Sequence, residues 1–255
     1  MQYLDDEDLP DAEPFVLVHG FTQNAACMKP FAEHVAAALK SQDRLGRIAM
    51  IDAPGHGASE HDRADLIDAA SLLVEAGGDG HYVGYSMGGR MLLHAALLFP
   101  ERFRSLTLIG ATAGILSGAD RAKRLVSDGR LADRMQRDGL ESFIDHWLSL
   151  DLFATLPEEA SSREARLMNR SDGLASSLRN CGTGNQFPLW GLLERVDVPV
   201  QVIAGASDSK FSELGQRMVD LLPNATFVSV PGGHAVHSEA PEAVAELVAG
   251  FSAAG

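Results

Sequence analysis

Tyr82-Val83-Gly84-Tyr85-Ser86-Met87-Gly88-Gly89-Arg90 is the stretch on which the fold turns. The apolar run Tyr82 to Tyr85 has strand character. The run Arg90-Met91-Leu92-Leu93-His94-Ala95-Ala96-Leu97-Leu98 has helical period, so Ser86 falls on a tight strand-to-helix turn. Gly84, Ser86 and Gly88 have the G-x-S-x-G spacing of a nucleophile elbow, in which the serine backbone is strained and its neighbours must be small. Gly84, Gly88 and Gly89 meet that demand. The helix that follows aims its N–H groups and the positive end of its dipole at charge developing on a reacting oxygen. Bare matches of this kind recur in loops by chance; the flanking strand and helix favour a nucleophile over a plain turn.

A serine hydroxyl is a weak nucleophile or base at neutral pH and needs a histidine, itself oriented by a carboxylate. Behind an elbow of this type the chain order runs serine, acid, histidine. Asp208, in Gly205-Ala206-Ser207-Asp208, lies just past the apolar run Val200 to Ile203. His234, in Pro231-Gly232-Gly233-His234, lies just past Thr226 to Val230. Both sit where strand C-termini deliver residues to the ligand crevice of an open sheet. The plain alternative for Asp208 is a loop-capping aspartate. His237 reads as a pocket or surface residue, and His56, His61, His81 and His94 as packed or solvated ones. His19-Gly20-Phe21 follows the first strand and suits the loop whose N–H, at Phe21, joins that of Met87 as an oxyanion hole.

Outward from the elbow, the apolar runs 15–18, 48–51, 82–85, 106–109, 200–203 and 226–230 read as strands, with helical periods at 31–39, 90–98 and 243–251 between them. Strands alternating with helices imply an α/β fold with a mostly parallel sheet flanked by helices. From Ala111 to Val198 about 85 residues pass without a strand, too many for a structureless loop. They read as helices at 119–135, 140–148, 161–178 and 187–195, a helical lid inserted after a strand. The expected organisation is an acidic tail over 1–13, a core over 14–113 and 196–255, and the lid over 114–195. The chain of 255 residues carries a net charge of −14, but the lid only −1, so positive charge is concentrated there.

That charge and the lack of a basic run argue against nucleic-acid partners. No apolar stretch reaches the length needed to cross a bilayer, and the acidic start lacks the pattern of a secretory signal. Cys27 and Cys181 form no disulfide framework or metal-like cluster, which suggests a cytoplasmic protein with no metal and no cofactor.

Taken together, these residues resemble the α/β-hydrolase family from Pro14 to Phe251. Asp52-Ala53-Pro54-Gly55-His56-Gly57-Ala58-Ser59 looks like its D-x-P-G-x-G-x-S loop, and Gly233-His234 with Glu239-Ala240-Pro241 like its G-H…E-x-P close. Within that family the chain resembles the 2-succinyl-6-hydroxy-2,4-cyclohexadiene-1-carboxylate synthases of menaquinone biosynthesis. The stretches that carry this are the elbow through Arg90, Phe143-Ile144-Asp145-His146-Trp147, Gly182-Thr183-Gly184-Asn185-Gln186 with Leu189-Trp190, and Asp208-Ser209-Lys210-Phe211. The acid loop departs from the subfamily's G-E-x-D at Ala206. The resemblance implies a lyase that removes a proton and expels pyruvate from a substrate with three carboxylates. It also implies Arg90, Arg124 and Arg166 as substrate-binding arginines, with Arg121 the alternative to Arg124, and Tyr85 and Trp147 as pocket walls. Arginine suits the task because its planar fork donates two parallel hydrogen bonds to a carboxylate. For Trp147 core packing is the plain alternative, and for the lid arginines a solvated helix face. The rival functions are a serine hydrolase of esters or C–C bonds working through an acyl-enzyme, and a non-catalytic binding module on the same fold.

Overall fold

The computed structural model describes residues 1–4 and 12–253. Its seven strands are β1 (Gln2–Tyr3), β2 (Glu13–Val18), β3 (Gly46–Ile51), β4 (Gly80–Tyr85), β5 (Phe103–Ile109), β6 (Val200–Gly205) and β7 (Ala225–Val230). They form one sheet in the order β1-β3-β2-β4-β5-β6-β7. All pairs are parallel except β1 with β3.

Alternation along the strands builds two cores, one on each face. Val16 and Val18 join Tyr82, Leu106, Leu108, Val200 and Val202 on one side, beneath α2 (Leu66–Gly77) and α3 (Met87–Leu98). Phe15 and Leu17 join Ile48, Met50, Val83, Ile109 and Ile203 on the other, beneath α1 (Ala25–Ser41) and the C-terminal helix Pro241–Ser252. A strand buried on both faces reads as a continuous apolar run rather than an alternating one, which is why the central strands stood out.

The segment between β5 and β6 holds α4 (Gly118–Asp138), α5 (Leu140–Leu148), α6 (Arg163–Arg166) and α7 (Ser171–Cys181), with 3₁₀ turns between them. After β6 come α8 (Ser209–Val219), α9 (Val236–Glu239) and α10, the helix Pro241–Ser252 named above.

Three expectations need correction. The stretch 1–13 is not a tail throughout: Gln2–Tyr3 pairs with β3, and Glu13 opens β2 with its carboxylate on Arg44. The remaining acids of that stretch, at 5–11, lie outside the described residues. The helix expected over 161–178 is broken at 167–170, where the Asn169 side chain accepts from Gly57 N–H at 2.8 Å and donates to Thr22 O at 2.8 Å and Arg166 O at 3.0 Å. The helix expected over 187–195 is a 3₁₀ turn, Trp190–Arg195. Its entrance is tied to the end of β5 by Leu189 N–H to Ala113 O and Trp190 Nε1 to Gly114 O.

Candidate active site

Ser86 caps α3 with φ 50° and ψ −104°, a backbone conformation that side-chain-bearing residues rarely adopt. The elbow is possible because its glycines meet without side chains: a Cβ on Gly84 would lie 2.6 Å from Gly89 N. His234 Nε2 stands 3.1 Å from Ser86 Oγ, and His234 Nδ1 stands 2.8 Å from Asp208 Oδ2. The aspartate is fixed in turn as the cap of α8, its Oδ1 accepting from Phe211 N–H at 3.2 Å. One carboxylate thus caps α8 and faces His234 Nδ1. The order serine, acid, histidine and the placement at the ends of β4, β6 and β7 follow the expected pattern.

Aromatic rings hold the imidazole in place. Phe211 packs on His234 at 4.4 Å between ring centroids and Tyr85 at 5.4 Å. Gly110, at the end of β5 with φ 56°, leaves room for it: a Cβ there would lie 3.0 Å from His234 Cε1. Burial pushes the Tyr85 phenol up, so it stands beside the triad as a neutral hydroxyl.

Among the described residues, neither Phe21 N–H nor Met87 N–H has a hydrogen-bond acceptor. The loop carrying Phe21 is braced from several sides. His19, fully buried, donates from Nδ1 to Gly20 O at 2.8 Å and accepts at Nε2 from Ala53 N–H at 3.0 Å. Burial lowers its pKa to about 4, so the ring stays neutral in both bonds. Asp52 accepts from Ala25 N–H and Ala58 N–H and ties α1 to the loop after β3.

A cavity of about 130 Å³ opens over the triad, lined by Ser86, Met87 and His234 together with Arg90, Arg124, Trp147 and Lys210. A larger cleft, about 480 Å³, lies between α2, α3 and Phe187, and Ser86 does not line it. Arg90 is buried and its Nη1 has no partner. Burial lowers its pKa to about 10, with the nearby Arg124 charge adding to the effect, and the guanidinium remains charged at neutral pH. Arg124 lines the cavity, and Arg121 is not among the residues that line it. Trp147 stands edge-on to Phe21 at 5.2 Å with a buried, unpartnered Nε1.

Arg166 is placed differently from the other two arginines. It is 1% exposed, donates from Nε to Ser161 O at 2.8 Å, and reaches Thr22 Oγ1 and Phe21 O through Nη1. It lines a small adjoining cavity with Ser86, Tyr85 and His234, and it holds the Phe21 loop. Lys210, Thr112 and Gly110 were not singled out from sequence as site residues. The D-x-K-F stretch marked Lys210 only as part of a motif, and no local pattern marks the other two. His237, left open above, is fully buried against Tyr85, ring centroids 4.1 Å apart.

Among the described residues no cluster of histidine, cysteine and carboxylate side chains has the makings of a metal site. No helix among them is long and apolar enough to cross a membrane.

The fold agrees with what comparison with known proteins finds. The model of the alpha/beta hydrolase family matches residues 15–247. A Bacillus subtilis (strain 168) protein with a provisional 2-succinyl-6-hydroxy-2,4-cyclohexadiene-1-carboxylate synthase name is 33% identical over 96% of this chain and 92% of its own length. The synthase of that name from Citrobacter koseri is 32% identical over 94% of each chain. Among solved structures, MenH from S. aureus superposes with a TM-score of 0.87 at 27% identity, over 98% of this chain and 96% of that one. A thermophilic esterase from Thermogutta terrifontis has a TM-score of 0.79 over 96% of this chain and 91% of its own, and at 23% identity it speaks for the fold alone. The chain belongs to the alpha/beta hydrolase family, and its relatives of nearly equal length include that family's 2-succinyl-6-hydroxy-2,4-cyclohexadiene-1-carboxylate synthases.

Proposed function

We propose that this enzyme is a lyase of menaquinone biosynthesis that eliminates pyruvate from 2-succinyl-5-enolpyruvyl-6-hydroxy-3-cyclohexene-1-carboxylate. The observation that carries the reading is Arg90: a buried guanidinium, one nitrogen unpartnered, in the cavity that also holds Ser86 and His234. A buried cation left incompletely paired is costly unless a ligand completes it. With Arg124 and Lys210 in the same cavity and Arg166 behind it, the site suits a trianion. Local positive charge is needed here because the chain as a whole, at −14, repels one. In this reading the helices between β5 and β6 act as a lid that supplies Arg124, Trp147 and Arg166.

The substrate's structure dictates the chemistry. The hydrogen on C2 is acidic because it is α to the succinyl carbonyl and allylic to the C3–C4 double bond. Ser86 Oγ takes that proton as its own passes to His234 Nε2, and Asp208 steadies the imidazolium through Nδ1. The negative charge moves to the succinyl carbonyl oxygen, where the N–H groups of Phe21 and Met87 stabilise it. Collapse of the enolate forms C2=C3, shifts the double bond to C4=C5 and breaks the C5–O bond. The departing enolate takes up one proton and becomes pyruvate; the proton lent to His234 restores the balance. Ser86 thus serves as base, and no acyl-enzyme forms.

The test is pyruvate release, followed with lactate dehydrogenase and NADH. Wild type should release pyruvate from the cyclohexene substrate, and Ser86→Ala should lose about a thousandfold or more in kcat. No pyruvate, together with rapid turnover of p-nitrophenyl esters, would replace the lyase with a serine hydrolase working through an acyl-enzyme.

A further inference from the structure

Asp128 lies one turn after Arg124 on α4, and its side chain is 3% exposed although Arg124's is 40% exposed. A carboxylate so buried requires donors. Arg124 Nε donates to Oδ1 at 2.7 Å, and Gly184 N–H donates to Oδ2 at 3.3 Å. Its charge also reaches Arg90, where it favours the protonated guanidinium.

The loop at 182–184 is pressed onto the same turn of α4. A Cβ on Gly182 would lie 2.6 Å from Asp128 Oδ2, and one on Gly184 would lie 2.5 Å from Leu125 Cα. Arg90, Arg124, Gly182 and Thr183 all line the catalytic cavity, whereas Asp128 does not. The carboxylate therefore touches the walls of the site and not its contents. A surface ion pair of i,i+4 spacing contributes little order; here burial and the Gly184 N–H fix the carboxylate end of the pair. With Nε committed to Asp128, the two terminal nitrogens of Arg124 have no acceptor among the described residues and present a fork of the kind that grips a carboxylate.

We propose that Asp128 is a positioning residue for substrate binding, which through Arg124 Nε and Gly184 N–H aims the Arg124 fork into the cavity and sets the Gly182–Gly184 wall beside it. The assignment rests on the reading above in that the substrate is a polycarboxylate.

A double-mutant cycle on the full chain tests it, with wild type, Asp128→Asn, Arg124→Ala and the double variant compared by pyruvate release. Asp128→Asn should raise KM about tenfold while kcat stays within threefold, because misaiming a binding group weakens binding without touching the triad. In the Arg124→Ala background the same substitution should change KM less than twofold. An unchanged KM in Asp128→Asn, or an equal rise with and without Arg124, would reduce Asp128 to a structural acid and overturn the proposal. Should Asp128→Asn fail to fold, Arg124→Lys, which keeps the charge but loses Nε–H, should show the same tenfold rise; a wild-type KM there overturns it. Citrate, a tricarboxylate the enzyme cannot turn over, separates this proposal from the synthase reading when titrated into the same four proteins by calorimetry. A wild type that releases no pyruvate but shows the non-additive cycle in citrate affinity sinks the reading and keeps Asp128. An inactive wild type that binds no citrate overturns both.

Discussion

In the proposed function Arg90 is a residue that weakens the fold and serves the site. Its guanidinium is buried with Nη1 unpaired, and replacing a buried, poorly paired charge with an apolar side chain of similar size is often stabilising, by about 1–4 kcal/mol. Arg90→Met should therefore raise the melting temperature while raising KM for the tricarboxylate at least tenfold; thermal unfolding and pyruvate release measured on one preparation check both. If stability falls instead, Arg90 is part of the core and not of the site. Gly110 makes the opposite point. Its φ of 56° strains any side chain, and a Cβ there would crowd His234 Cε1 at 3.0 Å, so that the ring must shift to admit it. Gly110→Ala should cost about 1–2 kcal/mol from backbone strain and should lower kcat by displacing the imidazole. A variant with unchanged kcat would show that the His234 position tolerates movement. The nearness of Arg90 to Ser86 was legible locally, one turn along the same helix, whereas Gly110 was not noticed, because the ring it crowds belongs to a residue far along the chain.

At the scale of elements, periodicity found the strands and missed the ends and breaks of helices. The helix starting near Phe31 in the periodic reading begins at Ala25, since Asn24 caps it by accepting from Cys27 N–H, and Pro30 within it forgoes a single bond. The helix Leu66–Gly77 went unremarked although Asp65 accepts from both Ile67 and Asp68 N–H groups, a start signal visible in the sequence. The break between α6 and α7 has no such signal. It is made by Asn169, whose amide links α6 to the loops carrying Thr22 and Gly57. Asn169→Ala should lower stability by about 1–3 kcal/mol through the buried groups it leaves unsatisfied. It should also loosen Arg166 and the Phe21 loop, so denaturant midpoint and kcat should fall together. A midpoint shift alone would confine Asn169 to a structural role.

For the whole molecule, several histidines are held neutral by burial, and that makes stability depend on pH. Burial lowers His19 and His81 to about 4 and His56 and His237 to about 3. The unfolded chain protonates near 6.5, so it binds more protons than the native state as the pH falls below that value. Stability is therefore present at neutral pH, declines once the pH drops through about 6.5, and goes on declining until the folded groups titrate at about 3–4. Between pH 7 and pH 5 each fully depressed histidine removes roughly 2 kcal/mol. Urea unfolding at those two pH values should show a steep loss; equal midpoints would mean that the imidazoles find water or acceptors on protonation. His56→Asn should flatten the profile by about one histidine's share.

What the linear chain determined by itself was whatever depends on near neighbours and on chain order. The parallel sheet was legible because buried strands must be apolar, and Ser86 because an elbow needs glycines on both sides of it. The partnership of Asp208 with His234 was legible because each follows a strand at the same edge of the sheet. Only the tertiary structure decided which of the cations enter the cavity, because a helix surface looks alike on its solvent and cavity sides in sequence. It put Arg124 rather than Arg121 at the wall, turned Arg166 to brace a loop, brought Lys210 in, and set Asp128 behind Arg124. Those placements arise from contacts between residues far apart in the chain, which no local spacing records.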